Sequence, residues 1–92
     1  MTRIEAVETA AKRDGGCVAV GLLDHTCGFG WTGHEPLLRK HGSDPTNPDH
    51  MVTLCGIAHT HVHSHVEWSR SVGLLVHAWE TFSHERDWKD TR

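Results

Sequence analysis

The scarcest commodity in this sequence is spare positive charge. Lys and Arg total 9 against 12 Asp and Glu, a formal net charge of −3 with histidines neutral. That excludes a protein holding nucleic acid through a general basic field, but not an enzyme touching a few phosphates through a metal and a local cluster. Arg39, Lys40 and His41 form one such cluster. Long apolar runs are also missing: no stretch approaches the roughly 20 apolar residues that span a bilayer. Met1 to Ala11 is amphipathic rather than continuously apolar, so no secretory signal is read there. Cysteine is sparse and odd in number, 3 in all, so the cysteines cannot all pair within the chain. The expected location is cytoplasmic, with no membrane partner, and the cysteines are read as metal ligands or small buried hydrophobes. Repeats and low-complexity tracts are absent as well.

What is present in excess is histidine, 10 in 92 residues. A chain of this length makes one domain, 1–92, and its hydrophobic fraction of 37% promises only a small core. Domains of this size often borrow stability from a metal, a disulfide or a partner. A stabilising metal is the expectation here.

Ile4, Val7 and Ala11 recur at helical spacing, predicting a helix over Thr2–Arg13 stopped by Asp14-Gly15-Gly16. Cys17–Leu23 suits a short strand or a knuckle turn, and Gly28–Thr32 a strand after a tight turn. Glu35 to Asp49, with Pro36, Gly42, Pro45 and Pro48, is a loop long enough to suggest a functional excursion. His50–Cys55 reads as a second strand. Ser64 followed by Glu67 is a capping-box pattern, predicting a helix from Ser64 to about Val72, closed by Gly73. Leu74-Leu75-Val76 is a small apolar element. The charged tail 80–92 is expected to fray, with Trp79, Phe82 and Trp88 as anchors.

The chemistry concentrates in His59, His61, His63 and His65. Residues four apart on a helix share a face, which pairs His59 with His63 and His61 with His65 as metal ligands. A base activating water must sit opposite on a separate element, and His34, at the end of a predicted strand, is so placed.

The segment Arg13–Ala19, the loop Lys40-His41-Gly42-Ser43-Asp44-Pro45, the stretch His50–Cys55, and His59 through Ser64-His65 to Gly73–Val76 appear in a telling order. In that order they resemble the landmarks of small HNH endonucleases of the phage and actinobacterial type, over a core of about 13–76. The resemblance implies an α+β fold, a ββα-metal finger with an N-terminal and a C-terminal helix. It also implies hydrolysis of DNA phosphodiesters. It places the general base on His34, an assisting polar group on His50, and the catalytic metal (Mg, Mn, Ni or Zn) on His59 and His63. Gly33 departs from it, standing where a metal-ligating Asp or His is usual. Many members also hold a structural zinc with paired C-x-x-C motifs. This chain keeps Cys17 and Cys55, while Val20 and Ala58 replace their partners. Cys27 can substitute for one, and His59 or His25 for another. If His59 serves that zinc, the catalytic pair shifts to His61 and His65.

Plainer readings stand beside these. The histidine cluster can be a polar face, His34 a surface histidine, His50 a loop buttress and the cysteines core filler. Arg39 and Lys40 can be a solvated patch rather than phosphate contacts. His25, His77 and His84 read as structural or exposed, Glu67 as a cap, and Trp31, Trp68 and Trp79 as core and interface residues. Three functions compete. The first is a metal-dependent DNA endonuclease or nickase. The second is an inactive zinc-stapled finger that binds DNA or a protein partner, such as a phage packaging component. The third is a histidine-rich metal carrier.

Overall fold

A computed structural model describes residues 1–38, 42–80 and 82. Helix α1 spans Arg3–Asp14 and begins with a full capping box. Thr2 Oγ1 accepts from the Glu5 N–H at 3.2 Å, and Glu5 Oε1 accepts from the Thr2 N–H at 3.1 Å. It ends at Gly15, whose φ of 69° is the left-handed cap that glycine takes without penalty. The predicted helix and its glycine stop are therefore present.

Strands β1 (Trp31–His34) and β2 (Val52–Cys55) form one antiparallel pair, with Trp31 opposite Cys55 and His34 opposite Val52. Two strands alone are marginal in water, and here both faces of β2 are covered. Met51 packs with Ala6 and Ala10 of α1. Val52 and Leu54 point the other way, into a core with Leu22, Ala58, Val62 and Leu74, as a period of two requires. The end of α1 also closes backbone groups beside β2. Asp14 accepts from the Thr53 N–H at 2.9 Å, and Arg13 donates to the carbonyls of Met51 and Pro48 at 2.7 and 2.6 Å.

Helix α2 (Gly56–Ser64) follows β2 directly and buries Ala58 and Val62. Helix α3 (Val66–Ser71) turns back from it, fastened by buried Ser69, whose hydroxyl donates to the carbonyls of Val62 and His65 at 2.9 and 2.8 Å. Gly73, at φ 85°, ends that turn, and the chain then runs beside β1, where the Val76 N–H donates to the Pro36 carbonyl at 3.0 Å. The architecture is α+β, with a two-stranded sheet between helices and the local order β1–β2–α2.

Several boundaries differ from expectation. The first strand is Trp31–His34 rather than Gly28–Thr32, because Phe29 (φ 62°) and Gly30 (φ 73°) turn the chain before it can pair. The Gly56 N–H bonds the Gly28 and Gly30 carbonyls there at 2.9 and 3.2 Å. Val18–Gly21 is a 3-10 turn, so the knuckle alternative holds and the strand does not. The second strand starts at Val52, because Pro48–His50 forms a 3-10 turn.

Ser64 does not start a helix. It ends α2, its hydroxyl donating back to the Thr60 and His61 carbonyls at 3.0 and 3.2 Å. Cys55 is the cap instead, its Sγ accepting from the Ala58 N–H at 3.4 Å. Helix α3 has no side-chain cap, so Glu67 does not play that part. Trp68 packs against the core, whereas Trp31 and Trp79 are exposed. Trp88 and His84 lie outside the described residues.

Gly33 is set by packing against α1. A Cβ there would lie 2.8 Å from Met51 Sδ and 2.9 Å from Val7 Cγ2. Overpacking of this kind costs roughly 1–3 kcal/mol. Gly33→Ala is expected to lower the unfolding free energy by that amount, read as a lower urea midpoint with no change in the slope of the transition.

Candidate metal centres

The first cluster gathers donors from three places: Cys17 ahead of the 3-10 turn, His25 and Cys27 in the following loop, and Cys55 at the β2–α2 junction. All four ligand atoms lie within 4.8 Å of one another. His25 Nε2 faces all three sulfurs, at 3.9 Å from Cys17, 3.5 Å from Cys27 and 3.3 Å from Cys55. A tetrahedral zinc with ordinary Zn–S and Zn–N bonds separates its sulfur and nitrogen ligands by roughly 3.6 Å. The preformed spacing therefore matches the shell.

The His25 tautomer is also suitable. Nδ1–H donates to the Leu23 carbonyl at 2.8 Å, which leaves the Nε2 lone pair toward the sulfurs. Burial penalises charge on Cys55, but N–H groups of Ala58 and Gly28, with His25 and Cys27, outweigh it and pull the thiol down to about 6. Burial pushes Cys17 up to about 12. Cys55 thus supplies the first thiolate, and a cation would draw protons from the others. The group can hold a metal such as zinc, and the histidine completing it is His25 rather than His59.

The second cluster is His34, His59 and His63, whose ligand atoms also fall within 4.8 Å of one another. His34 ends β1 and is 3% exposed. His59 and His63 stand one turn apart on α2, with their Nε2 atoms 3.0 Å apart. The His34 ring meets both edge-on, at centroid distances of 5.3 and 5.8 Å. A carbonyl only accepts, so the short hydrogen bond from His34 Nε2 to the Leu74 carbonyl fixes the proton on Nε2 and leaves Nδ1 with the lone pair. Burial, joined by the neighbouring imidazoles, holds His34 down at about 4. His59 is lowered as well, first by burial and then by His63.

The remaining predicted residues sit apart from this trio. His61 and His65 stack on each other at 3.9 Å, and His61 meets the Trp68 ring at 4.8 Å. His50 lies in the 3-10 turn before β2, where its Nδ1 accepts from the Asp44 N–H at 2.8 Å and braces the loop. Arg39 and Lys40 lie outside the described residues.

Two residues around the trio escaped sequence reasoning. Arg3 and Glu35 line the same cleft as His34, His59 and His63, paired at 2.6 Å. A cation in the first turn of a helix opposes the helix dipole. That is the one sequence signal for Arg3; the pairing with Glu35 comes only from the fold. No family model matches the chain, and neither the curated proteins nor the solved structures compared with it give a match.

Two outcomes follow. Purified protein is expected to carry one tightly held zinc per chain, lost in Cys55→Ser and in His25→Ala, as metal analysis will show. Structural zinc in small finger domains contributes about 10–16 kcal/mol, comparable to the whole stability of a domain, about 5–15 kcal/mol. Chelation is therefore expected to abolish the folding transition.

The second outcome concerns His34 with no metal at the histidine cluster. Its folded value near 4 lies below an unfolded value near 6.5, so the unfolded chain binds the extra proton between those limits. Stability is expected to fall as pH drops from about 6.5 to about 4, by up to about 3 kcal/mol. Imidazole NMR should show His34 still neutral at about pH 5; protonation near 6.5 would contradict its burial.

Proposed function

We propose that the chain is a metal-dependent DNA nuclease built on a ββα finger of the HNH kind. One observation carries this: in the order β1–β2–α2, the histidine ending β1 meets two histidines one turn apart on α2. The resemblance in sequence points to the same three residues. His59 and His63 would hold the divalent metal, which when bound supplies a Lewis acid for the scissile phosphate. His34 takes a proton from water at Nδ1, while the bond from Nε2–H to the Leu74 carbonyl keeps the ring in the basic tautomer. Zinc among Cys17, His25, Cys27 and Cys55 would pin the start of α2, and with it the spacing of His59 and His63 from β1.

Gly33 favours a second reading, a zinc-stapled binding module without catalysis. The family's usual ligand at that place is missing, and its Cβ has no room beside Met51 and Val7. The two readings separate in a plasmid assay with Mg²⁺, Mn²⁺, Ni²⁺ or Zn²⁺. Nicking or linearisation is expected, reduced roughly 10²–10⁴-fold in His34→Ala with the zinc content unchanged. A folded, zinc-bearing protein inert with every ion would overturn the nuclease reading and favour the binding module.

A further inference from the structure

The space beside Gly33 holds a cation. Arg3 Nη2 lies 3.5 Å from where a Gly33 Cβ would stand and donates to the Gly33 carbonyl at 2.9 Å. Arg3 Nη1 donates to Glu35 Oε1 at 2.6 Å and to the Pro45 carbonyl at 2.8 Å. These bonds fix the guanidinium from β1, from the residue after His34 and from the loop. They use three of its five N–H donors. The side chain nevertheless stays 35% exposed, against 12% for Glu35, and it opens on the cleft lined by His34, His59 and His63.

A guanidinium held on one side and open on the other is a fork for an oxyanion. Among the described residues lining that cleft, Arg3 is the only Lys or Arg. In a chain of net charge −3, a fixed local cation is what an approaching phosphate can use. We propose that Arg3 is the phosphate-binding residue of this cleft. It receives a nucleic-acid backbone phosphate beside the histidine trio, and the Glu35 carboxylate occupies part of the fork until phosphate arrives. The proposal rests on the nuclease reading and adds to it a role for α1: the helix brings charge to the place where the HNH pattern it resembles carries a ligand.

The test is phosphate binding by the full chain with its own metal, followed through the Arg3 Nε–H resonance during titration with inorganic phosphate, then with a thymidine dinucleotide. Thymidine, which lacks phosphate, serves as control. Saturable shifts are expected with the two phosphates and none with thymidine. Charge-assisted hydrogen bonds are worth enough that Arg3→Gln should weaken binding about tenfold or more, here read from the His59 and His63 resonances. Arg3→Lys should keep part of it. Glu35→Gln removes the competing carboxylate and should tighten binding several-fold, which a purely structural clamp would not do. Unchanged affinity in a folded Arg3→Gln overturns the proposal. If that variant does not fold, unchanged or weaker affinity in Glu35→Gln overturns it. Phosphate bound through Arg3 without cleavage under any ion would support this site while sinking the nuclease. Cleavage whose KM is indifferent to Arg3→Lys would do the reverse.

Discussion

The structure depends on one short ladder. Residues 31–34 pair with residues 52–55, and this register places the two donor clusters at opposite ends of the same two strands. Trp31 opposite Cys55 marks the thiol end; His34 opposite Val52 marks the imidazole end. So short a sheet cannot hold itself. It is held by apolar contacts on both faces of β2 and by Arg13 and Asp14, which close backbone groups beside it. Whatever shifts the register by one residue turns His34 toward α1 and Gly33 toward α2, because the side-chain period is two. The packing of Gly33 against Met51 and Val7 penalises that slip.

Helix α2 links the ends. It starts on Cys55, a zinc-donor candidate whose sulfur also caps the helix, and one turn later it presents His59 and then His63. A metal at the thiol end would therefore fix the origin from which the histidines are measured. The same helix shows why four histidines in a row of alternate positions are not equivalent. His59 and His63 face β1, while His61 and His65 stack on each other and reach Trp68. Among the described residues, the first pair is the one that meets a third imidazole, His34.

Much of this was legible in the residues. The first helix shows in its period and its Gly15-Gly16 stop, and the three cysteines and the spacing of four in His59 and His63 point to metal chemistry. Other features depend on contacts far apart in sequence. The local S-x-x-E pattern at Ser64 suggested a helix to about Val72; that helix is present as α3, Val66–Ser71, but Ser64 itself ends α2, which the burial of Ala58 and Val62 starts at Gly56. Beside the thiols the sequence put His59 first, with His25 as its alternate, but the loop from Leu23 to Cys27 brings His25 Nε2 to all three sulfurs. Arg3 and Glu35 are separated by most of α1 and the whole knuckle, so only the fold pairs them. The absence of a ligand at Gly33 reads in the sequence as a loss; in three dimensions the position faces α1 and the guanidinium fills the neighbouring space.

On the proposed function, one strand pair would carry a metal at each end, one for the fold and one for chemistry. Anomalous diffraction at the zinc edge, from crystals grown before and after adding Zn²⁺, locates both ions. A peak is expected among Cys17, His25, Cys27 and Cys55 in protein as purified, with sulfur distances near 2.3 Å, and a second peak at His59 and His63 once zinc is added. Thiols without metal, or joined in a disulfide, beside a metal held only by histidines would contradict it.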